Sequence, residues 1–148
     1  MHGAATTGEH GQLGVRDFDA QRSFDAELGW PLVFESDDFA AFELRGAVLA
    51  LFPLEKLGAD SGAPPERGQG GIRFSVIITV DRPEDVDRLV ERAAGAGARI
   101  TKAPVDAEFF EGRDAYFADP EDNFWEVAWA APGNPVVVAA RRAAGLDG

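Results

Sequence analysis

Short blocks of apolar residues, separated by glycine, proline and acidic turns, follow one another in the same order twice along the chain. Gln12 to Asp17 suits a strand, and Asp17 or Asp19 can cap a helix whose Ala20, Phe24 and Leu28 lie four apart on one face before Gly29 stops it. Beyond Pro31, the runs Leu32 to Glu35, Phe39 to Arg45 and Ala47 to Phe52 predict three short strands, with turns at Asp37-Asp38 and Gly46. The second pass begins with an apolar strand from Ile72 to Val80, followed by Asp81-Arg82-Pro83, where proline suits a first helical turn. Val86, Leu89, Val90 and Ala93 recur at helical spacing, and Gly95 and Gly97 end that helix. Three more strands follow around Arg99 to Lys102, Asp114 to Ala118 and Phe124 to Trp129. Each half therefore reads βαβββ.

Residue identity between the halves is slight, but element order, a Val-x-Asp or Val-Asp step into each helix and the glycine after it all recur. This is the pattern of an internal duplication, with a repeat of roughly 65 residues. A half of about 60 residues is close to the lower limit for independent stability, so the two are expected to cover each other. The predicted organisation is a flexible N-terminus at 1–9, a first module at 10–53, a linker at 54–71, a second module at 72–130 and a tail at 131–148. The linker carries too many glycines and prolines for regular structure, and the tail, with Val136-Val137-Val138 and Arg141-Arg142, is open between an edge strand, a docking segment and a frayed end. The fold class is α+β: an open, cup-shaped sheet with helices on the outside. On the last strand Trp125, Val127 and Trp129 would pack under the helices, and Phe124, Glu126 and Ala128 would look into the cup.

Composition narrows the chemistry. Twenty-six acidic against 14 basic residues give a formal charge of −12 and a pI near 4.5, which disfavours nucleic-acid partners. The absence of cysteine removes disulfides, zinc ribbons, thiolate nucleophiles and iron–sulfur ligation. No apolar run reaches the roughly 20 residues of a membrane helix, and the start lacks a signal-like apolar stretch, so a cytoplasmic location is expected. The two histidines, His2 and His10, leave no Ser-His-Asp arrangement, and no glycine-rich loop matches a phosphate cradle.

Two stretches carry a family resemblance: Leu13-Gly14-Val15-Arg16-Asp17-Phe18 with Leu28-Gly29-Trp30, and Tyr116-Phe117-Ala118-Asp119-Pro120-Glu121-Asp122-Asn123-Phe124-Trp125-Glu126-Val127. Over His10 to Trp129 the chain resembles the vicinal oxygen chelate superfamily, which groups glyoxalases, bleomycin resistance proteins and extradiol dioxygenases. The resemblance implies paired βαβββ modules around a ligand site. The family usually has glycine where this chain has Asp122, a turn position that often needs a left-handed backbone, which aspartate tolerates. It also implies four inward metal positions. By alignment His10 and Glu126 fall on two of them, whereas Ala50 and Ser75 fall on the others and offer a divalent ion little. Extradiol dioxygenase chemistry, which needs histidines in both halves, is disfavoured.

Glu126 is the leading catalytic candidate, because a carboxylate flanked by Trp125 and Val127 must find a partner or stay protonated. Its structural alternative is an ion pair with Arg73 or Arg113. Gln12, Ser75 and Thr79 by alternation, with Phe52 and Tyr116, are the expected ligand-binding lining. The expectation is a protein that binds a small organic ligand in the cup without the full metal site and with no cofactor. The alternative is a lyase or isomerase of the glyoxalase type, holding a divalent metal through His10 and Glu126 or moving a proton with Glu126. The assembly is open between a monomer whose halves close together and a homodimer whose halves exchange partners.

Overall fold

A computed structural model describes residues 10–66, 68 and 71–146. The expected flexible N-terminus at 1–9, with His2, lies outside the described residues. The first module runs β1 (His10–Val15), α1 (Phe18–Glu27), β2 (Leu32–Ser36), β3 (Phe39–Leu44) and β4 (Ala47–Pro53). The second runs β5 (Ser75–Thr79), α3 (Pro83–Gly95), β6 (Arg99–Asp106), β7 (Gly112–Ala118) and β8 (Phe124–Ala130), with α2 (Leu54–Ser61) between the modules and α4 (Pro135–Ala143) after them. Each sheet has four strands in equivalent order, β1-β4-β3-β2 and β5-β8-β7-β6, and the first strand of each is parallel to its neighbour. The duplicated sequence thus folds as two copies of one topology.

Both predicted helices form, for local reasons. Asp17 caps α1 by accepting the Ala20 N–H at 3.1 Å, and Pro83 sits in the first turn of α3. Val86, Val90 and Ala93 are buried on the face α3 turns to its sheet. Alternation decides the sheet faces: Leu49, Leu51, Ala115, Phe117, Trp125 and Val127 join one core cluster with Phe24 and Leu28 of α1.

That core belongs to both modules. Phe24 packs on Phe117 with ring centres 6.3 Å apart, and Trp30 on Trp125 at 5.2 Å. The Glu121 carboxylate, 6 % exposed, accepts the backbone N–H groups of Arg16 at 2.6 Å and Asp17 at 3.0 Å, tying the β7–β8 turn to the start of α1. Below it, the Gln21 amide donates to Asp25 at 3.2 Å and to Asp119 at 3.0 Å. Asp122 holds φ at 63°, the left-handed conformation expected of that turn.

Several boundaries differ from the sequence reading. β1 starts at His10 because its parallel register with β4 begins at His10 opposite Val48, so His10 belongs to a strand. The segment expected to be wholly irregular opens with α2, which packs back on β1 and β4; a Cβ on Gly14 would stand 2.8 Å from Leu54 Cδ1. Glycine at 14 lets α2 approach. The tail forms α4, not an edge strand: the Asn134 side chain accepts from Val136 N at 3.0 Å and Val137 N at 3.3 Å, and this capping outweighs the strand preference of three valines.

Candidate functional site

The inner face of the second sheet can be read as rows across its four strands. Register places Ile77 of β5 beside Glu126 of β8, Glu126 beside Tyr116 of β7, and Tyr116 beside Lys102 of β6. The next row is Thr79, Ala128, Asp114 and Val105, and the one before it begins with Ser75 and Phe124. The faces opposite carry Trp125, Val127, Ala115 and Phe117, all in the core. The alternation that buries those residues is what lifts Glu126, Tyr116, Lys102 and Asp114 onto the other side.

Glu126 is buried, 7 % exposed, as is Asp114 at 5 %. Its partner is neither Arg73 nor Arg113: Arg113 is engaged by Asp87 through two hydrogen bonds of 2.8 Å. Instead Glu126 faces Tyr116 across the β7–β8 pairing and lies close enough to Asp114 for both to act on its carboxyl, Tyr116 favouring the charged form and Asp114 the protonated one. Lys102 Nζ stands 2.7 Å from Asp114 Oδ1 and 5.6 Å from the centre of the Tyr116 ring. Burial is the main reason Glu126 holds its proton above the ordinary glutamate range; the Asp114 contact adds to this, and Tyr116 and Lys102 oppose it. Burial, the bond to Glu126 and the nearby acidic charges push the Tyr116 hydroxyl up to about 12.

The four groups make a compact polar set on this face. It can donate to or accept from a polar ligand atom, and Ile77, 52 % exposed, adds an apolar surface next to Glu126. Ser75 is half-buried and Thr79 exposed on the same face. Sequence reasoning missed Asp114 and Lys102. Only the cross-strand register brings them to Glu126, and no spacing along the chain reveals it.

The first sheet presents a different surface. Its counterpart of the Glu126 row is Gln12, Ala50, Ala41 and Phe34, so Ala50 stands where the second sheet has Glu126. Phe52 packs edge-on against Phe39 at 5.9 Å, and Phe39 against Phe34 at 6.0 Å, forming an aromatic row beside Gln12. His10 and Gln12 are exposed on β1, one sheet away from Glu126.

This donor set does not fit a divalent ion. Among the described residues no three His, Cys, Asp or Glu side chains converge, the Ala50 position ends in a methyl group, and the carboxyl pair at Glu126 already has the Lys102 ammonium beside it.

The comparisons agree with this architecture. The family described as Glyoxalase/Bleomycin resistance protein/Dioxygenase superfamily matches residues 8–127. A glyoxalase-related enzyme from Fulvimarina pelagi superposes with a TM-score of 0.75 at 27% identity, covering 84% of this chain and 88% of that one. A glyoxalase/bleomycin resistance protein/dioxygenase family enzyme from Burkholderia phytofirmans PsJN gives 0.74 at 23% identity, with 82% and 97% covered. A lactoylglutathione lyase from Agrobacterium tumefaciens gives 0.64 at 19% identity, with 86% and 96% covered, a likeness of fold alone. No curated protein matches the chain.

Proposed function

The chain belongs to the glyoxalase/bleomycin resistance protein/dioxygenase superfamily, and from that premise we propose that it binds a small organic molecule on the inner face of its second sheet, without the family's full metal site. The observation that carries this reading is the Glu126–Asp114 carboxyl pair, held with Tyr116 and Lys102 on a face that is otherwise small or apolar. A buried acid pair that serves only stability is a poor use of the position, since apolar residues of similar volume commonly do as well. The ligand would bring a polar or cationic group to Glu126 and Tyr116 and lay its apolar part toward Ile77, with Ser75 and Thr79 beside it. Phe52 and Gln12 on the first sheet would complete the lining.

A homodimer is part of the proposal. Ile77 is 52 % exposed beside the site, and a second copy laid there would take it out of water and roof the ligand. Among the described residues no helix is long and apolar enough to cross a membrane. A cytoplasmic setting accords with a chain that has no cysteine.

A second reading is favoured by the raised Glu126: a lyase or isomerase step in which Glu126 moves a proton and Tyr116 steadies the resulting charge. The metal-dependent form of that reading would need His10 and Glu126, which lie on different sheets.

Thermal-shift measurements with cationic glycopeptides, methylglyoxal–thiol adducts and aromatic acids test the binder. At least one class is expected to stabilise the protein and to lose its effect in Glu126→Gln and Tyr116→Phe. A flat response throughout, or stabilisation that survives both substitutions, would overturn it.

A further inference from the structure

A cavity lies at the boundary between the modules, and neither Glu126, Tyr116, Asp114 nor Lys102 lines it. It measures about 550 Å³ and follows the free edge of β5, from Val76 to Val80, which pairs only with β8 among the described strands. Trp30, Leu44 and Leu89 supply apolar wall, and Ala140 of α4 with its C-cap Ala144 closes the far side. α4 is seated closely there: a Cβ on Gly46 of the β3–β4 turn would be 3.2 Å from the Ala144 backbone.

The charge of this cleft runs against that of the molecule. Four of the chain's 14 basic residues line it, Arg45, Arg88, Arg92 and Arg141, with Asp81 and Asp85 as the acidic members. Asp81 is engaged by Arg141 at 2.9 Å, and Asp85 by Arg88 and Arg82, each at 3.1 Å. Arg45 and Arg92 have no acidic partner among the described residues. Arg92 gives its Nε–H to the Glu27 carbonyl at 3.2 Å, which leaves its terminal nitrogens available. Its position is fixed by shape as well: a Cβ on Gly29 would come within 2.7 Å of Arg92 Nη2. The fold therefore brings two unanswered guanidiniums, from β3–β4 and from α3, to one apolar hollow in a protein of charge −12.

We propose that this cleft is a second binding site, separate from the Glu126 face, for a small amphipathic anion. Its apolar body lies against Trp30 and β5, and its carboxylate or phosphate is held by Arg45 and Arg92. The volume lies within the range of small-molecule sites, and planar guanidiniums match both anionic groups bidentately.

Isothermal titration of the whole protein with 1-naphthylacetate, 1-naphthyl phosphate and the neutral 1-naphthylacetamide tests this, with the Trp30 indole N–H followed by NMR. The proposal expects at least one anion to bind about tenfold or more tighter than the amide and to move the Trp30 signal. The anion that binds more tightly identifies the headgroup. Arg45→Gln, which disturbs no described hydrogen bond, and the double variant Arg45→Gln/Arg92→Gln should abolish the preference, Arg45→Lys should retain part of it, and Glu126→Gln should leave it intact. Equal binding of amide and anions, an anion preference that survives the double variant, loss of the preference in Glu126→Gln, or no binding of either anion would each overturn the proposal.

Discussion

Asp25→Asn should change the pH dependence of stability more than any other single substitution. Asp25 is fully buried on α1, its Oδ1 accepts from Gln21, and neither its Oδ2 nor Gln21 Oε1 has a partner. Burial first, and then the Asp119 carboxylate, push its pKa from 3.8 up to about 8. One proton on Oδ2, donated to Gln21 Oε1, would satisfy both orphaned acceptors. The sign follows from linkage. The folded protein keeps this proton where the unfolded chain has released it, so the stabilisation is full below about pH 4 and is lost as pH rises toward about 8. Each pH unit in that window removes about 1.4 kcal/mol, so about 6 kcal/mol in all is an upper bound. Asparagine reproduces the neutral acid, its Nδ2 donating where the proton did. Urea denaturation at a series of pH values should show the variant close to wild type near pH 4 and several kcal/mol more stable above pH 8. Parallel curves for the two proteins across the window would refute the reasoning.

Three further outcomes are expected. Glu121→Ala should destabilise by roughly 2–3 kcal/mol in chemical denaturation, since it strands the Arg16 and Asp17 N–H groups and unties the modules. Gly112→Ala should cost on the order of 3 kcal/mol or more by the same assay, because its Cβ would stand 2.1 Å from the Trp129 carbonyl oxygen and 2.6 Å from the Phe110 ring. Tyr116→Phe should raise the Glu126 pKa further by removing a donor to its carboxylate, and Asp114→Asn should lower it, both read by carboxyl NMR.

The duplicated βαβββ order was legible because strands and helices leave different periods in the apolar pattern, and because Asp17, Pro83, Gly29 and Gly97 mark helix ends by backbone chemistry. α2 and α4 were not. α2 depends on Leu54 and Leu57 meeting a glycine forty residues back, and α4 on an Asn134 cap that overrides the strand preference of its valines. At the site, Glu126 stood out as a lone carboxylate in an apolar strand, and Tyr116 was expected only as part of an aromatic lining; register makes it the neighbour of Glu126. Asp114 and Lys102 were hidden because register, which no local pattern encodes, makes them its partners. The buried Asp25 did leave a trace: Gln21, Phe24, Asp25 and Leu28 form one helical stripe, two of its members polar, and a polar group in such a stripe needs a partner from elsewhere in the fold.

The proposal for the Glu126 face rests on a carboxyl that keeps its proton unusually well and stands ready to meet a ligand. Carbon-13 NMR of that carboxyl, titrated with pH alone and again with a stabilising compound from the thermal-shift series, tests it most directly. The account predicts titration above the ordinary glutamate range, a fall in Asp114→Asn, and a displaced resonance when the compound binds. An ordinary titration, indifferent to Asp114 and to the compound, would contradict it.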